Sequence, residues 1–296
     1  QLHTWFKTRL LLAIAAHAIG AKDCYLYLRG EFEVPLGIVR RMIDEAHASG
    51  VYGDIRFHTH EGNGAYICGE ETALLEALEG KRGMPRIKPP FPVEVGLWGK
   101  PTLIHNVETI ACVPGIVQRG GDWFRGLGRT EAGSKLYCVS GHVKRPGTYE
   151  LPLGVSLDEL VEAAGGYVGT LKAFSPGGAS SGFLPADRRG DPLDFRHLGS
   201  LGSMLGSAGV VVLNDTVDIR WAAAQQLRFF EAESCGQCAP CRIGTRYLRE
   251  SVERQARGDA VDGPLANAAD AAWQMNEGSI CADSDSWFNG VRVGLG

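Results

Sequence analysis

The sequence predicts three successive folds in one chain: an α/β unit over 1–126, a small α+β unit over 127–215 and an α-helical unit over 216–296. Three observations predict it. Helix-like and strand-like segments alternate at the start, short β-like runs broken by glycine and proline follow, and amphipathic stretches of helical period close the chain. With 296 residues and 44% hydrophobic content there is material for more than one core.

The α/β unit opens with "LLLAIAAHAIGA" (Leu10 to Ala21), far short of the ~20 apolar residues that span a bilayer, so it reads as a buried helix. "DCYLYLRG" reads as a strand. "PLGIVRRMIDEAHASG" reads as a helix with Pro35 in its first turn and Gly50 at its stop, presenting Ile38, Val39, Met42, Ile43 and Ala46 at three- and four-residue spacing. "DIRFHTH" is the next strand.

In the α+β unit "KLYCVSGHV" and "RPGTYELPLG" read as strands, and "SLDELVEAAGG" as a helix whose Ser156 and Glu159 form a capping box. In the last unit "TVDIRWAAAQQLRFFEAES" places Ile219, Ala223, Leu227 and Phe230 on one face. Two further helices, "GTRYLRESVERQARG" and "LANAADAAWQMNEGS", follow, with a cysteine motif in the turn before them.

A net charge of -4 without runs of like charge leaves no footprint for nucleic acid or an anionic membrane, and no segment is suited to direct membrane insertion. Eight cysteines are too sparse for a disulfide scaffold; their clustering points to a reducing compartment, the cytoplasm. Cys24, Cys112 and Cys138 lie in apolar runs and read as small buried hydrophobes.

Cys235, Cys238 and Cys241 recur every third residue in "ESCGQCAPCRIGT", so a loop winding about a centre can aim three sulfurs inward. The candidate for the fourth thiolate is Cys281, with 39 residues between it and Cys241 and two helices to bring it back. A structural zinc site usually offers two separated C-x2-C pairs, whereas three ligands plus one suits a [4Fe-4S] cluster, and metal analysis separates the two. Gly236, Gln237 and Gly244 are expected to offer backbone N–H groups to the cluster, with Arg242 adding positive charge.

"EGNGAYICGEETALLEALEG" follows the second strand, yet Ile67 stands where a dinucleotide fingerprint needs its third glycine. Glu70 and Glu71 open the next helix, a poor seat for a pyrophosphate and a suitable one for ribose hydroxyls. Taken alone they stabilise a helix. The proline-punctuated segment after them adds Lys88, Phe91, Lys100 and Asn106, and a loop of that length and aromatic content is functional rather than disordered.

"GAYICGEETALLEALEGKRGMPRIKPPFP", "GLWGKPTLIHNVETI" and "ESCGQCAPCRIGT" together resemble the flavin-bearing NADH dehydrogenase subunit of complex I, shared with bidirectional hydrogenases and NAD-dependent formate dehydrogenases. The likeness runs from about Ile14 to Cys281. His105 and "SPGGASSGFLPADRRGDPLDF" look most like the beta subunit of molybdenum- or tungsten-dependent formate dehydrogenases.

The resemblance implies a Rossmann-like FMN/NADH domain, an SLBB β-grasp domain and a helical bundle holding the cluster. It implies that Tyr66, Gly69, Glu70, Asn106 and Thr109 lie against FMN, that Glu71, Lys88 and Phe91 contact NAD(H), and that Cys235, Cys238, Cys241 and Cys281 ligate the cluster. The implied activity is a diaphorase: a hydride from NADH loads FMN, and electrons leave singly through iron–sulfur. Implied partners are a small thioredoxin-like 2Fe-2S subunit and a large iron–sulfur or molybdenum/tungsten subunit.

Two departures stand against it. Family members carry, upstream, a glycine-rich loop of the type GRGGAGFPTG around the FMN phosphate and an acidic NADE-like stretch, and neither is in this sequence. "CADSDSWFNGVRVGLG" also lacks the family's "CGLG" continuation. Residues 1–296 alone are therefore expected to retain at most the cluster and give little or no NADH-to-dye activity. The competing readings are a flavin-less electron-relay or assembly module and a zinc-stabilised scaffold.

Overall fold

The structure is a computed structural model that describes residues 12–259 and 267–281. It divides into two compact units, Gln1–Trp123 and Phe124–Gly296.

In the first unit a helix, α1, covers 12–19. The sequence predicts a buried helix here, but only Ala13 and Ala16 are buried and Ile19 is 56% exposed. The two alanines pack with Cys24, Ala46 and Phe57, and a helix lying on a small core has one buried face. Leu10 and Leu11 of that run lie outside the described residues.

Strand β1 (Asp23–Arg29) pairs parallel with β2 (Arg56–Gly62), and α2 (Glu33–Ser49) crosses between them, forming a βαβ unit. Helix α2 starts two residues before Pro35, which sits where a missing N–H leaves no bond unmade. Leu36, Val39, Met42 and Ala46 form its buried stripe and Ile43 packs at the edge; the left-handed Gly50 ends it. Cys24 faces Phe57 in register on the core side, while Tyr25 stacks on His58 and Tyr27 on His60 on the other. A 3-10 turn (Tyr66–Gly69) leads into α3 (Glu71–Leu78). After the long loop come α4 (Val107–Ala111) and α5 (Val113–Arg119), then α6 (Gly121–Arg125), which contains the division point.

The second unit holds β3 (Ser134–Gly141), β4 (Gly147–Pro152), α7 (Leu157–Ala163), β5 (Leu171–Ser175), β6 (Leu184–Pro185), α8 (Phe195–Ser200) and β7 (Gly209–Asn214). The five strands lie in the order β4-β3-β7-β5-β6, with β3 and β7 parallel and the other pairings antiparallel. Leu157, Leu160 and Val161 of α7 are wholly buried with Tyr137, Val139, Val210 and Val212, so the sheet grasps one helix. The Ser156–Glu159 capping box is formed as expected. Cys138 departs from its expected burial: strand alternation turns Tyr137 and Val139 inward, leaving Cys138 exposed 3.4 Å from Thr148 Oγ1.

Three helices follow: α9 (Ile219–Glu233), α10 (Ala239–Ala256) and α11 (Ala268–Gly278). Ala223, Leu227 and Phe230 of α9, Leu248 and Val252 of α10, and Ala272 and Met275 of α11 are buried. Arg249 of α10 reaches Glu231 of α9, and Arg228 of α9 reaches Glu253 of α10 at 2.7 Å, while Arg249 and Glu253 pair within α10 at 2.8 Å. Among the described residues no helix is long and apolar enough to cross a membrane.

Candidate functional site

The first candidate site lies beyond the carboxyl end of β2, where open α/β sheets bind ligands. Glu70 caps α3 with its own side chain: Oε2 accepts the Thr72 N–H at 2.9 Å, the Ala73 N–H at 2.8 Å and the Thr72 hydroxyl at 2.6 Å. Its Oε1 lies 2.9 Å from Lys88 Nζ, which also lies 2.8 Å from Glu71 Oε1. One ammonium thus bridges both glutamates and folds the proline-punctuated loop onto the start of α3. Burial alone would raise the Glu70 pKa, but the Thr72 and Lys88 bonds outweigh it and hold the carboxylate below its ordinary range. Burial would lower that of Lys88, but Glu71 and Glu70 outweigh it and raise it.

The remaining predicted residues have mixed placements. Tyr66 is half-buried and Gly69 exposed, with open space where a Cβ would stand. Phe91 is 50% exposed and Thr109 exposed. Asn106 caps α4, its Oδ1 accepting the Glu108 N–H at 2.8 Å. The structure thus joins Glu70, Glu71 and Lys88 directly, while Asn106 is engaged with its own helix and Phe91 and Thr109 stand outside that ion-pair cluster.

Sequence reasoning missed the charged net behind this cluster. Arg86 reaches Glu76 at 2.6 Å and Glu79 at 2.8 Å, and Glu79 also accepts the Trp98 N–H at 2.8 Å. Burial would raise the Glu79 pKa, but Lys81, Arg86 and that N–H bring it down to about 2. Trp98 has a left-handed backbone, φ 50, and meets Tyr25 edge-on. The charge pattern "EALEGKR" signals pairing, but bonds spanning the glycine turn are not periodic.

The fit to FMN is divided. The hydrogen-bonding groups beyond β2 suit the uncharged parts of a flavin or a ribose. The α3 N-terminus does not suit a phosphate, because the Glu70 carboxylate already accepts its N–H groups.

The second candidate site lies at one end of the helical bundle. Cys235 is in the turn after α9, Cys238 is the N-cap of α10, Cys241 is in its first turn, and Cys281 follows α11. Helix α10 begins five residues before the expected "GTRYL" start, so Cys241 is helical rather than in the turn. Gly236, at φ 77, makes the turn, and its N–H reaches Ser234 Oγ at 3.3 Å. Gly244 does not offer its N–H to the loop: it lies inside α10, where a Cβ would stand 2.3 Å from Met275 Sδ, so its role is close approach of α11. Arg242 folds back, Nη1 donating to the Gly236 carbonyl. A Cβ on Gly278 would lie 2.8 Å from Pro240 Cγ, so α11 ends against the Cys238–Cys241 turn, three residues before Cys281.

All four cysteines are half-buried, none forms a disulfide, and Cys241 Sγ lies 3.5 Å from Ser234 Oγ. Among the described residues no three donor side chains form a closed metal-ligating group. Three soft thiol donors at the positive end of α10, with a fourth at Cys281 just beyond the end of α11, nevertheless fit an iron–sulfur cluster by chemistry.

An α/β unit, a helix-grasping sheet and a cysteine-bearing bundle define a modular redox subunit. The family model for the Nuo51 FMN-binding domain matches residues 10–115, that for the SLBB domain 136–184, and that for the NADH-ubiquinone oxidoreductase-F iron-sulfur binding region 221–295. An NADH-quinone oxidoreductase F subunit of Rhizobium meliloti is 46% identical, covering 96% of this chain and 70% of the relative. The corresponding F subunit of Rickettsia felis is 44% identical, covering 93% and 68%. A chain of an NAD+-reducing [NiFe]-hydrogenase in the H2-reduced state superposes with a TM-score of 0.89 at 38% identity. That match covers 97% of this chain and 49% of the hydrogenase chain, so this chain spans about half of it. The chain belongs to the family of NADH-quinone oxidoreductase F subunits, and carries its FMN-binding and iron–sulfur-binding regions.

Proposed function

We propose that this chain is the diaphorase subunit of a multisubunit redox complex, moving electrons between NAD(H), FMN and one [4Fe-4S] cluster. The observation that carries it is the Glu70–Lys88–Glu71 cluster at the carboxyl end of a parallel βαβ unit, in a chain that also carries four cysteines around the start of α10 and the end of α11. Its parts are an FMN/NADH domain over 1–126, an SLBB domain over 127–215 and a cluster domain over 216–296.

Bound FMN supplies the conversion between two-electron hydride chemistry and single-electron transfer. The chain's residues orient and select. Tyr66, Gly69, Glu70, Asn106 and Thr109 are assigned to the flavin, and Phe91, Lys88 and Glu71 to the nicotinamide nucleotide. Glu71 accepts ribose hydroxyls and repels an added phosphate. Cys235, Cys238, Cys241 and Cys281 hold the cluster.

The finer reading is the beta subunit of an NAD-dependent formate dehydrogenase, supported by His105 and "SPGGASSGFLPADRRGDPLDF". A complex I or hydrogenase diaphorase subunit is the second reading, supported by the relatives named for quinone reduction and the hydrogenase likeness. Purification of the complex with its native partners tests both. NADH-to-dye activity with bound flavin is expected, and its absence would leave an electron-relay module. Formate-dependent NAD+ reduction supports the finer reading; quinone- or hydrogen-coupled turnover without it overturns that reading.

A further inference from the structure

Thr245 is 1% exposed and, among the described residues, its Oγ1 has no hydrogen-bond partner. A helical threonine ordinarily donates to the carbonyl four residues back, as Ser251 on the same helix does to Tyr247 at 2.8 Å. Thr245 makes no such bond to Cys241, although it lies one turn from it on the buried stripe continued by Leu248 and Val252. Helical side chains lean toward the N-terminus, so this hydroxyl leans toward the turn that carries the cysteines. A second buried hydroxyl without a partner among the described residues, Ser279 Oγ, lies two residues before Cys281, where α11 ends against Pro240. Two buried donors without acceptors at one bundle end are a standing cost unless an acceptor arrives.

We propose that Thr245 and Ser279 donate hydrogen bonds to the sulfurs of the cluster held by Cys235, Cys238, Cys241 and Cys281, and thereby raise its reduction potential. The inference rests on the ligand assignment proposed above. Sulfur is a weak acceptor that strengthens as negative charge collects on it, so donors aimed at it favour the reduced state. Both residues act through the cluster and do no chemistry themselves.

The test is a redox titration, followed by EPR, of the purified holoprotein and of Thr245→Val, Thr245→Ser and Ser279→Ala, with iron and sulfide assayed in each. Thr245→Val keeps shape and removes the donor. Its reduced-to-oxidised ratio at the unmutated midpoint should fall about tenfold, equivalent to ~59 mV for a one-electron couple. Ser279→Ala should fall several-fold, and Thr245→Ser should restore the unmutated value. Unchanged midpoints in Thr245→Val and Ser279→Ala at full cluster content overturn the inference. If Thr245→Val loses its cluster, Ser279→Ala decides. Absence of iron and sulfide from the unmutated protein overturns the ligand assignment, and the inference with it.

Discussion

The turn before α3 and the turn before α10 present the same problem, a helix start crowded with reactive side chains, solved in opposite ways. At α3 the charged groups are answered from within the chain: Glu70 takes the helix N–H groups and Lys88 bridges both glutamates. At α10 the N-cap is a cysteine with no side-chain cap bond, and the hydroxyls of Thr245 and Ser279 nearby stay buried without partners among the described residues. The first site is electrostatically complete before a ligand arrives, so binding must redirect existing ion pairs. The second is left with unanswered donors, and in the proposed assignment it would gain stability from the cluster.

The largest expected effect breaks the second site. Cys241→Ser should lose the cluster while Cys112→Ser keeps it, because one removes a proposed ligand and the other a half-buried thiol between α4 and α5. Equal iron in both variants would refute the assignment. Next, Glu71→Gln preserves shape but removes the charge facing Lys88, so NADH should lose part of its advantage over NADPH. A charge-assisted contact is worth ~1.5–3 kcal/mol, read as the ratio of the two kcat/KM values.

Gly244→Ala asks whether α10 and α11 must touch: a Cβ 2.3 Å from Met275 Sδ should cost about 1–3 kcal/mol in denaturant unfolding, without contacting any cysteine. Glu70→Ala removes the α3 cap and should cost about 1 kcal/mol, while Lys88 keeps Glu71. The smallest effect concerns pH. Because the Glu79 pKa is depressed from 4.5 to about 2, its contribution is present above 4.5 and lost as pH falls toward 2. The stability difference between the unmutated protein and Glu79→Gln should therefore shrink between about pH 5 and pH 2; a constant difference would place the role of Glu79 in packing.

Much of the fold was legible because its signals are local. Pro35 and Gly50 bracket α2, Ser156 and Glu159 announce α7, and the stripe through Ala223, Leu227 and Phe230 announces α9. The misreadings share one cause. Cys138 lies in an apolar run, but which alternate residues of β3 face the core depends on the sheet it joins. Gly244 reads as a helix-start glycine offering its N–H to the cluster because nothing before Met275 reveals that α11 will press on it.

By itself the sequence determined the succession of α/β, α+β and helical parts, the reactive residue types, and the family to which they belong, since periodicity, caps and motif spacing are short-range properties of the chain. Tertiary structure decided what those residues do for one another. Lys88 meets Glu70 and Glu71 only because the long loop folds back, and Arg86 reaches Glu76 and Glu79 by the same return. The end of α11, three residues before Cys281, meets Pro240 of α10 only because α11 packs back on that helix. Thr245 became informative only once burial removed its water and packing supplied no acceptor, a long-range outcome that no local pattern encodes.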